Sequence, residues 1–303
     1  MKLTFTIDYH TTWGESLYIT GPLKQLGADD ETKALKLNLH GAQTWSVTVE
    51  IPDGTPAFSY RYFVKNDTTN HVREEYGPDH TFIPSRMTGE CRVYDSWQDQ
   101  PSDKPYYSSA FTECICRRDH RDRPLNIKKG HLNLKVSAPM VKPDQVLAIT
   151  GEPDVLGAWD PAKAMVMNDA NYPQWEVSIE LKKLPAAFQY KFLILDKESG
   201  RVVAWEGRDN RTFDYKCPTV TDAVVVSGLR LVNPQPYWHG AGTAIPVFSI
   251  RTEQDYGVGD FFDLKLMVDW AVATKQTVLQ LLPINDTTMT HTWTESYPYN
   301  ANS

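Results

Sequence analysis

An internal repeat constrains this chain more than any other feature. Leu17, Ile19, Thr20 and Gly21 return as Leu147, Ile149, Thr150 and Gly151, an offset of 130 positions. Leu26-Gly27 returns as Leu156-Gly157, Trp45 as Trp175, Phe58-x-Tyr60 as Phe188-x-Tyr190, and Gly77 as Gly207, with no net gap. Register held over about sixty positions means two tandem copies of one module, and a repeat governs how the rest is read.

Each copy contains short stretches of alternating apolar and polar residues: 2–9, 16–20, 45–51 and 58–65 in the first, and 131–138, 145–150, 175–181 and 188–195 in the second. Val47, Val49 and Ile51 share one strand face, as do Val177, Ile179 and Leu181. Several period-two strands per roughly 100 residues, with almost no helical periodicity, predict an immunoglobulin-like antiparallel β-sandwich. The chain should therefore be mainly β, with sandwiches at 1–96 and 130–227. Residues 97–129 carry Pro101, Pro105, Pro124 and many charges, and read as a linker with a strand near 111–116.

Composition narrows the function classes. A formal net charge of −7 argues against a nucleic-acid or anionic-membrane partner, since both reward a basic face. The one basic cluster, Arg117, Arg118, Arg121 and Arg123, is interrupted by Asp119 and Asp122 and reads as solvated. No run approaches the roughly 18–20 apolar residues of a membrane span. Met1 to Asp8 alternates like a strand and lacks the apolar core of a signal peptide, so cytoplasmic residence is expected. Cys91, Cys114, Cys116 and Cys217 lack metal-ligand spacing and read as free thiols. Neither a metal nor a cofactor is expected.

The grammar changes after Gly228. Thr243–Ile250 is an apolar strand, and Asp260 reads as an N-cap with Asp263 in the first turn. Phe261, Leu264, Val268 and Ala271 follow at helical spacing to about Lys275, and Thr277–Ile284 is a second apolar strand. This is a βαβ unit, whose parallel strands should be buried on both faces. Two such strands and one helix cannot cover their own apolar faces, and a closed (β/α)8 barrel takes about 250 residues. Residues 228–303 are expected to be the incomplete start of such a barrel, in a longer protein.

In the second module Trp159 and Trp205 fall outside the alternating core positions. Two open indoles beside Lys191 and Asn210 would suit a glucose ring, whose C–H faces are apolar and whose hydroxyls need donors and acceptors. Ordinary packing is the other reading, because Trp is usually largely buried.

The motifs Leu156-Gly157-x-Trp159, Trp175-x-Val177, Phe188-x-Tyr190-Lys191-Phe192 and Trp205-Glu206-x-x-x-Asn210-Arg211 resemble the family-20 carbohydrate-binding module, a starch-binding β-sandwich. The resemblance implies that Trp159 and Trp205 stack on glucose while Lys191 and Asn210 hydrogen-bond it. Trp175 matches a second-site tryptophan of some members, but its spacing from Tyr172 differs, and core packing is the better reading. The first module resembles the same family yet has Asp29, Arg61, Glu75 and His80 at the matching positions, which implies weak or absent binding there. Tyr9 to Leu17 resembles the opening of the first such module in disproportionating enzymes acting on maltose and heteroglycan.

Ile245 to Arg251, Tyr256-Gly257-x-Gly259-Asp260, Gln280-x-Leu282-Pro283-Ile284 and Ser296-x-Pro298-Tyr299 resemble the opening of a glycoside hydrolase family 77 barrel, the 4-α-glucanotransferase or amylomaltase family. The resemblance implies a retaining transfer of α-1,4-glucan segments, with starch, glycogen, maltodextrin and cyclodextrin as ligands. Tyr299 matches a tyrosine lining a sugar subsite, or is an ordinary loop aromatic. Retention requires two carboxyl groups about 5–5.5 Å apart. The family's carboxylates follow the Ser-x-Pro-Tyr motif, so no catalytic residue is assigned here. A non-enzymatic glycogen- or starch-binding adaptor and a starch hydrolase with the same modules are the alternatives, and protein partners stay open.

Overall fold

The computed structural model describes residues 1–76, 79–84, 89–99, 104–119, 121–214, 223–234 and 237–284. The first module contains β1 (Lys2–Asp8), β2 (Glu15–Thr20), β3 (Leu35–Lys36), β4 (Asn38–His40), β5 (Thr44–Glu50), β6 (Phe58–Asn66), β7 (Val72–Glu74), β8 (His80–Phe82) and β9 (Glu90–Ser96). The second contains β10 (His131–Ser137), β11 (Gln145–Gly151), β12 (Met165–Val166), β13 (Gln174–Glu180), β14 (Phe188–Asp196), β15 (Val202–Trp205), β16 (Arg211–Phe213) and β17 (Ala223–Arg230). Every alternating stretch read from the sequence lies on one of these strands.

The two modules share a sheet. Seven strands run in the order β13-β10-β17-β9-β1-β5-β4. Its centre is the parallel pairing of β17 with β9, from Ala223 opposite Cys91 to Val226 opposite Tyr94. Parallel pairings also join β1 to β9 and β10 to β17, within sandwiches that are otherwise antiparallel. Two smaller sheets complete the sandwiches: β3-β2-β6-β7 with β8 on β6, and β12-β11-β14-β15 with β16 on β14.

Alternation along β17 divides its side chains between two cores. Val224 and Val226 join the second module's core around Trp175, Phe192 and Leu132, and Ala223 and Val225 join the first module's core around Phe5, Tyr60 and Tyr62. A strand buried on both faces needs a continuously apolar run, and Ala223-Val224-Val225-Val226 supplies it. Each buried valine contributes about 1.5–3 kcal/mol relative to exposure. Residues 1–236 accordingly form one compact unit. Polar bonds reinforce the seam. Asp95 accepts hydrogen bonds from Tyr60, Tyr62 and, from the second module, Ser227. Gln98 Nε2 donates to the carbonyl oxygens of Ser96 and Gly228 at 2.8 and 3.0 Å.

The segment between the modules differs from expectation. Ala110–Ile115 is a π-helical turn and not a strand. Arg118, expected in solvent, is 6% exposed. Its guanidinium sits 4.4 Å from the Trp175 ring centroid, pairs with Asp169 at 3.1 Å and donates to the carbonyl oxygens of Lys142 and Gln145. Charge-run reasoning missed it because one arginine of four has a buried carboxylate waiting for it. Cys116 and Ile127 bury themselves in the second and first cores respectively.

The second unit spans Tyr237–Ser303 and is described to residue 284. β18 (Gly242–Ile245) pairs in parallel with β19 (Val278–Leu281), and α1 (Asp263–Ala273) connects them, giving the expected βαβ unit. The start of the helix is held reciprocally: Asp260 accepts from Phe262 N, and Asp263 accepts from Asp260 N. Burial of both faces is not observed. Val278, Leu281, Leu266, Val268, Trp270 and Val272 are exposed, because among the described residues no layer packs over them. No described helix is long and apolar enough to cross a membrane.

Candidate functional site

Trp159 sits on a loop whose shape is set by backbone chirality. Gly157, Ala158 and Trp159 have φ of 85°, 48° and 68°, three successive left-handed residues. That run turns the chain back so that Trp159 N donates to the Gly151 carbonyl at 3.0 Å. Leu156 is fully buried beneath, and its carbonyl accepts the Thr150 hydroxyl at 2.9 Å. The chain thus supports two strained non-glycine residues by anchoring both ends of the turn. Trp159 itself is half-buried.

The other three residues gather on β14, β15 and β16. Phe188, Tyr190, Phe192 and Ile194 face the core, so Gln189, Lys191 and Leu193 share the outer face. Trp205 lies opposite Leu193 and therefore on that face, at the end of edge strand β15, with 37% exposure. Lys191 lies opposite Thr150, one residue before the Gly151 carbonyl that holds Trp159. Asn210 Nδ2 donates to Gln189 Oε1 at 3.0 Å. Among the described residues Lys191 makes no ion pair. Neither indole belongs to a hydrophobic core. Trp175, by contrast, is fully buried, as its spacing suggested.

The Trp-Glu-x-x-x-Asn-Arg motif divides by direction. Glu206 and Arg211 point inward and form a buried bidentate pair, with N–O distances of 2.6, 3.0 and 3.2 Å. Arg211 also lies 5.2 Å from the Phe192 ring, and Glu206 accepts from Val232 N. Trp205 and Asn210 are the residues immediately outside this staple, and so inherit its rigidity. The staple was not read from the sequence, although a Glu and Arg flanking two exposed positions was its signal.

The same frame exists in the first module with different side chains. Gly27, Ala28 and Asp29 repeat the left-handed run at φ of 91°, 53° and 61°, with Asp29 in place of Trp159. Arg61 occupies the Lys191 position and is tied to Glu31 at 3.0 Å. The later matches need correction. Phe63 pairs with Glu74 where Leu193 pairs with Trp205, and Tyr60 pairs with His80 where Tyr190 pairs with Arg211. A register shift in the β14–β15 ladder inserts one extra residue, so the offset becomes 131 beyond Val202. Glu74 and Asp79 therefore match Trp205 and Asn210, whereas Glu75 and His80 match the Glu206–Arg211 staple. His80 Nε2 lies 3.1 Å from both Glu75 oxygens, and Nδ1 lies 3.5 Å from Asp95. Burial pulls the imidazolium pKa down, but the charges of Asp95 and Glu75 and the Glu75 hydrogen bond outweigh it and raise it to about 9. Neither stacking indole has a counterpart in the first module. Its Trp13 is instead fully exposed on the β1–β2 loop. Tyr299 lies outside the described residues.

Residues 1–92 and 131–223 both match the starch binding domain family. The chain belongs to the starch binding domain family. Residues 245–303 match the 4-alpha-glucanotransferase family. The chain is 30% identical over 318 aligned residues to the 4-alpha-glucanotransferase DPE2 of Oryza sativa subsp. japonica, covering 99% of this chain and 33% of the relative. It thus spans about a third of that relative's length. A 4-alpha-glucanotransferase of Chlamydia trachomatis is 46% identical over 46 residues, which is 15% of this chain and 9% of the relative. Among solved structures, the family 20 module of a maltotetraose-forming amylase from Pseudomonas saccharophila aligns at 22% identity and a TM-score of 0.26, covering 32% of this chain and 99% of that one.

Proposed function

We propose that this chain is the α-glucan-binding part of a 4-α-glucanotransferase acting in the cytoplasm, and that its primary binding site is the face carrying Trp159, Lys191, Trp205 and Asn210. The observation that carries the site is the exposed Trp205 on the same sheet face as Lys191, with Asn210 fixed beside it by the buried Glu206–Arg211 pair. Stacking of a pyranose on a flat ring and hydrogen bonds to its hydroxyls are the two interactions this face offers. The α-glucan class comes from the starch-binding family and the transferase relatives. Tethering by such modules raises the local concentration of chain ends. No residue described here is assigned to bond cleavage, and the isolated chain should bind glucan without transferring it.

The test is titration calorimetry of β-cyclodextrin against Trp159→Ala and Trp205→Ala. Losing one stacked ring should cost about 1–2 kcal/mol, roughly 5- to 30-fold in Kd. Unchanged affinity in both variants would overturn the site. A disproportionation assay on maltotriose tests the second half: glucose release by the isolated chain would contradict it.

A further inference from the structure

The shared sheet has a second exposed face. Leu3, Phe5 and Ile7 point into the first module's core, so Thr4, Thr6 and Asp8 of β1 point away from it. Ser46 of β5 and Arg92 and Tyr94 of β9 flank them on that side by register. Farther along the same face the second module stands on the sheet, because Val224 and Val226 belong to its core, with Tyr94 at the rim. The step between bare and covered sheet makes an inside corner. It holds a groove of about 710 Å³ whose lining includes Thr6, Ser46, Arg92, Tyr94, Trp97 and Asp214. That volume lies within the roughly 300–1,000 Å³ of ligand clefts.

We propose that this groove is a second α-glucan site, created by the junction of the two modules and independent of the Trp159–Trp205 face. The ligand class rests on the α-glucan reading above, while the site rests on its own chemistry. The groove's acids are Asp8, Asp214 and Asp95, the last of which spends its carboxylate on Tyr60, Tyr62 and Ser227, and they outnumber the one arginine, Arg92, which suits a neutral ligand and gives an anion no net attraction. Its floor carries threonine and serine hydroxyls, which donate and accept alike, as sugar hydroxyls do. Its wall carries flat rings: Trp97 is braced against Tyr9 at 4.2 Å, and its indole N–H is anchored on Asp99. These rings offer C–H-facing surface beside the hydroxyls. The floor strands β5, β1 and β9 are each paired on both sides, so a peptide cannot enter by adding a strand.

The test starts from the Trp159→Ala/Trp205→Ala protein, in which the primary face is removed. Calorimetry with maltoheptaose should detect one remaining site, and adding Thr6→Trp, which fills the groove from a position pointing away from the core, should weaken it at least tenfold. Hydrogen exchange on the double variant should slow at 92–97 when maltoheptaose is added, a readout that needs no groove substitution. No measurable binding by the double variant, while the unsubstituted chain binds β-cyclodextrin, overturns the groove and leaves the primary face standing. Residual binding untouched by Thr6→Trp, with no protection at 92–97, also overturns it. Failure of the primary-face reading looks different: the double variant would then keep the full affinity of the unsubstituted chain.

Discussion

Raising the pH should unlock the seam between the modules at His80. The imidazolium is buried between Glu75 and Asp95, and its pKa rises from 6.5 to about 9. A folded-state value above the unfolded one stabilises the protein fully below pH 6.5 and ceases to do so as pH passes 9. Between those limits the slope is about −1.4 kcal/mol per pH unit, and the whole effect is about 3 kcal/mol. That is a large part of a typical domain's stability of about 5–15 kcal/mol. Urea denaturation at pH 6, 7.5, 9 and 9.5 reads it directly. The unsubstituted chain should lose about 3 kcal/mol across the series. His80→Gln should be less stable at pH 6 and nearly flat thereafter. Equal slopes in the two proteins would refute the account, since another group would then carry the titration. The second module has an arginine, Arg211, in the slot that His80 fills in the first.

Three further outcomes follow from packing. Gly157→Ala places a Cβ about 2.9 Å from the Lys163 carbonyl at φ +85°, so it should weaken β-cyclodextrin binding and lower the denaturation midpoint as well. Arg118→Ala leaves Asp169 buried without its cation and should cost about 3–5 kcal/mol by urea denaturation, with Arg118→Met less harmful. Gly228→Ala drives a Cβ to 2.8 Å from the Ser96 carbonyl and should split one cooperative calorimetric transition into two.

Strand positions were legible because the period-two pattern records which side chains meet the core, and both copies record it independently. The placing of Trp159 and Trp205 outside the two cores followed from the same logic, since neither falls on an inward position, although only Trp205 is exposed and Trp159 is half-buried. What stayed hidden depends on partners far apart in sequence. The pairing of Cys91 with Ala223 joins the two modules across more than a hundred residues, and nothing local in β9 announces it. The valine run of β17 was the available signal, since a sandwich strand with one wet face would have alternated. Arg118 illustrates the same blindness for charge: its neighbours in sequence are solvated, while its carboxylate lies on Asp169. The single-residue slip at β15 escaped because one bulge moves every later match by one position without disturbing the motif order.

A continuous ladder through β9 and β17 leaves the paired modules no hinge. Two sugar-facing surfaces carried on it would keep a fixed spacing and angle, like tines of one fork. A short oligosaccharide would meet them one at a time, at the strength of a single contact. A helical or branched polymer whose own curvature matched that spacing would meet both together, so selectivity for long glucans would reside in the polymer's shape, without any flexing of the protein.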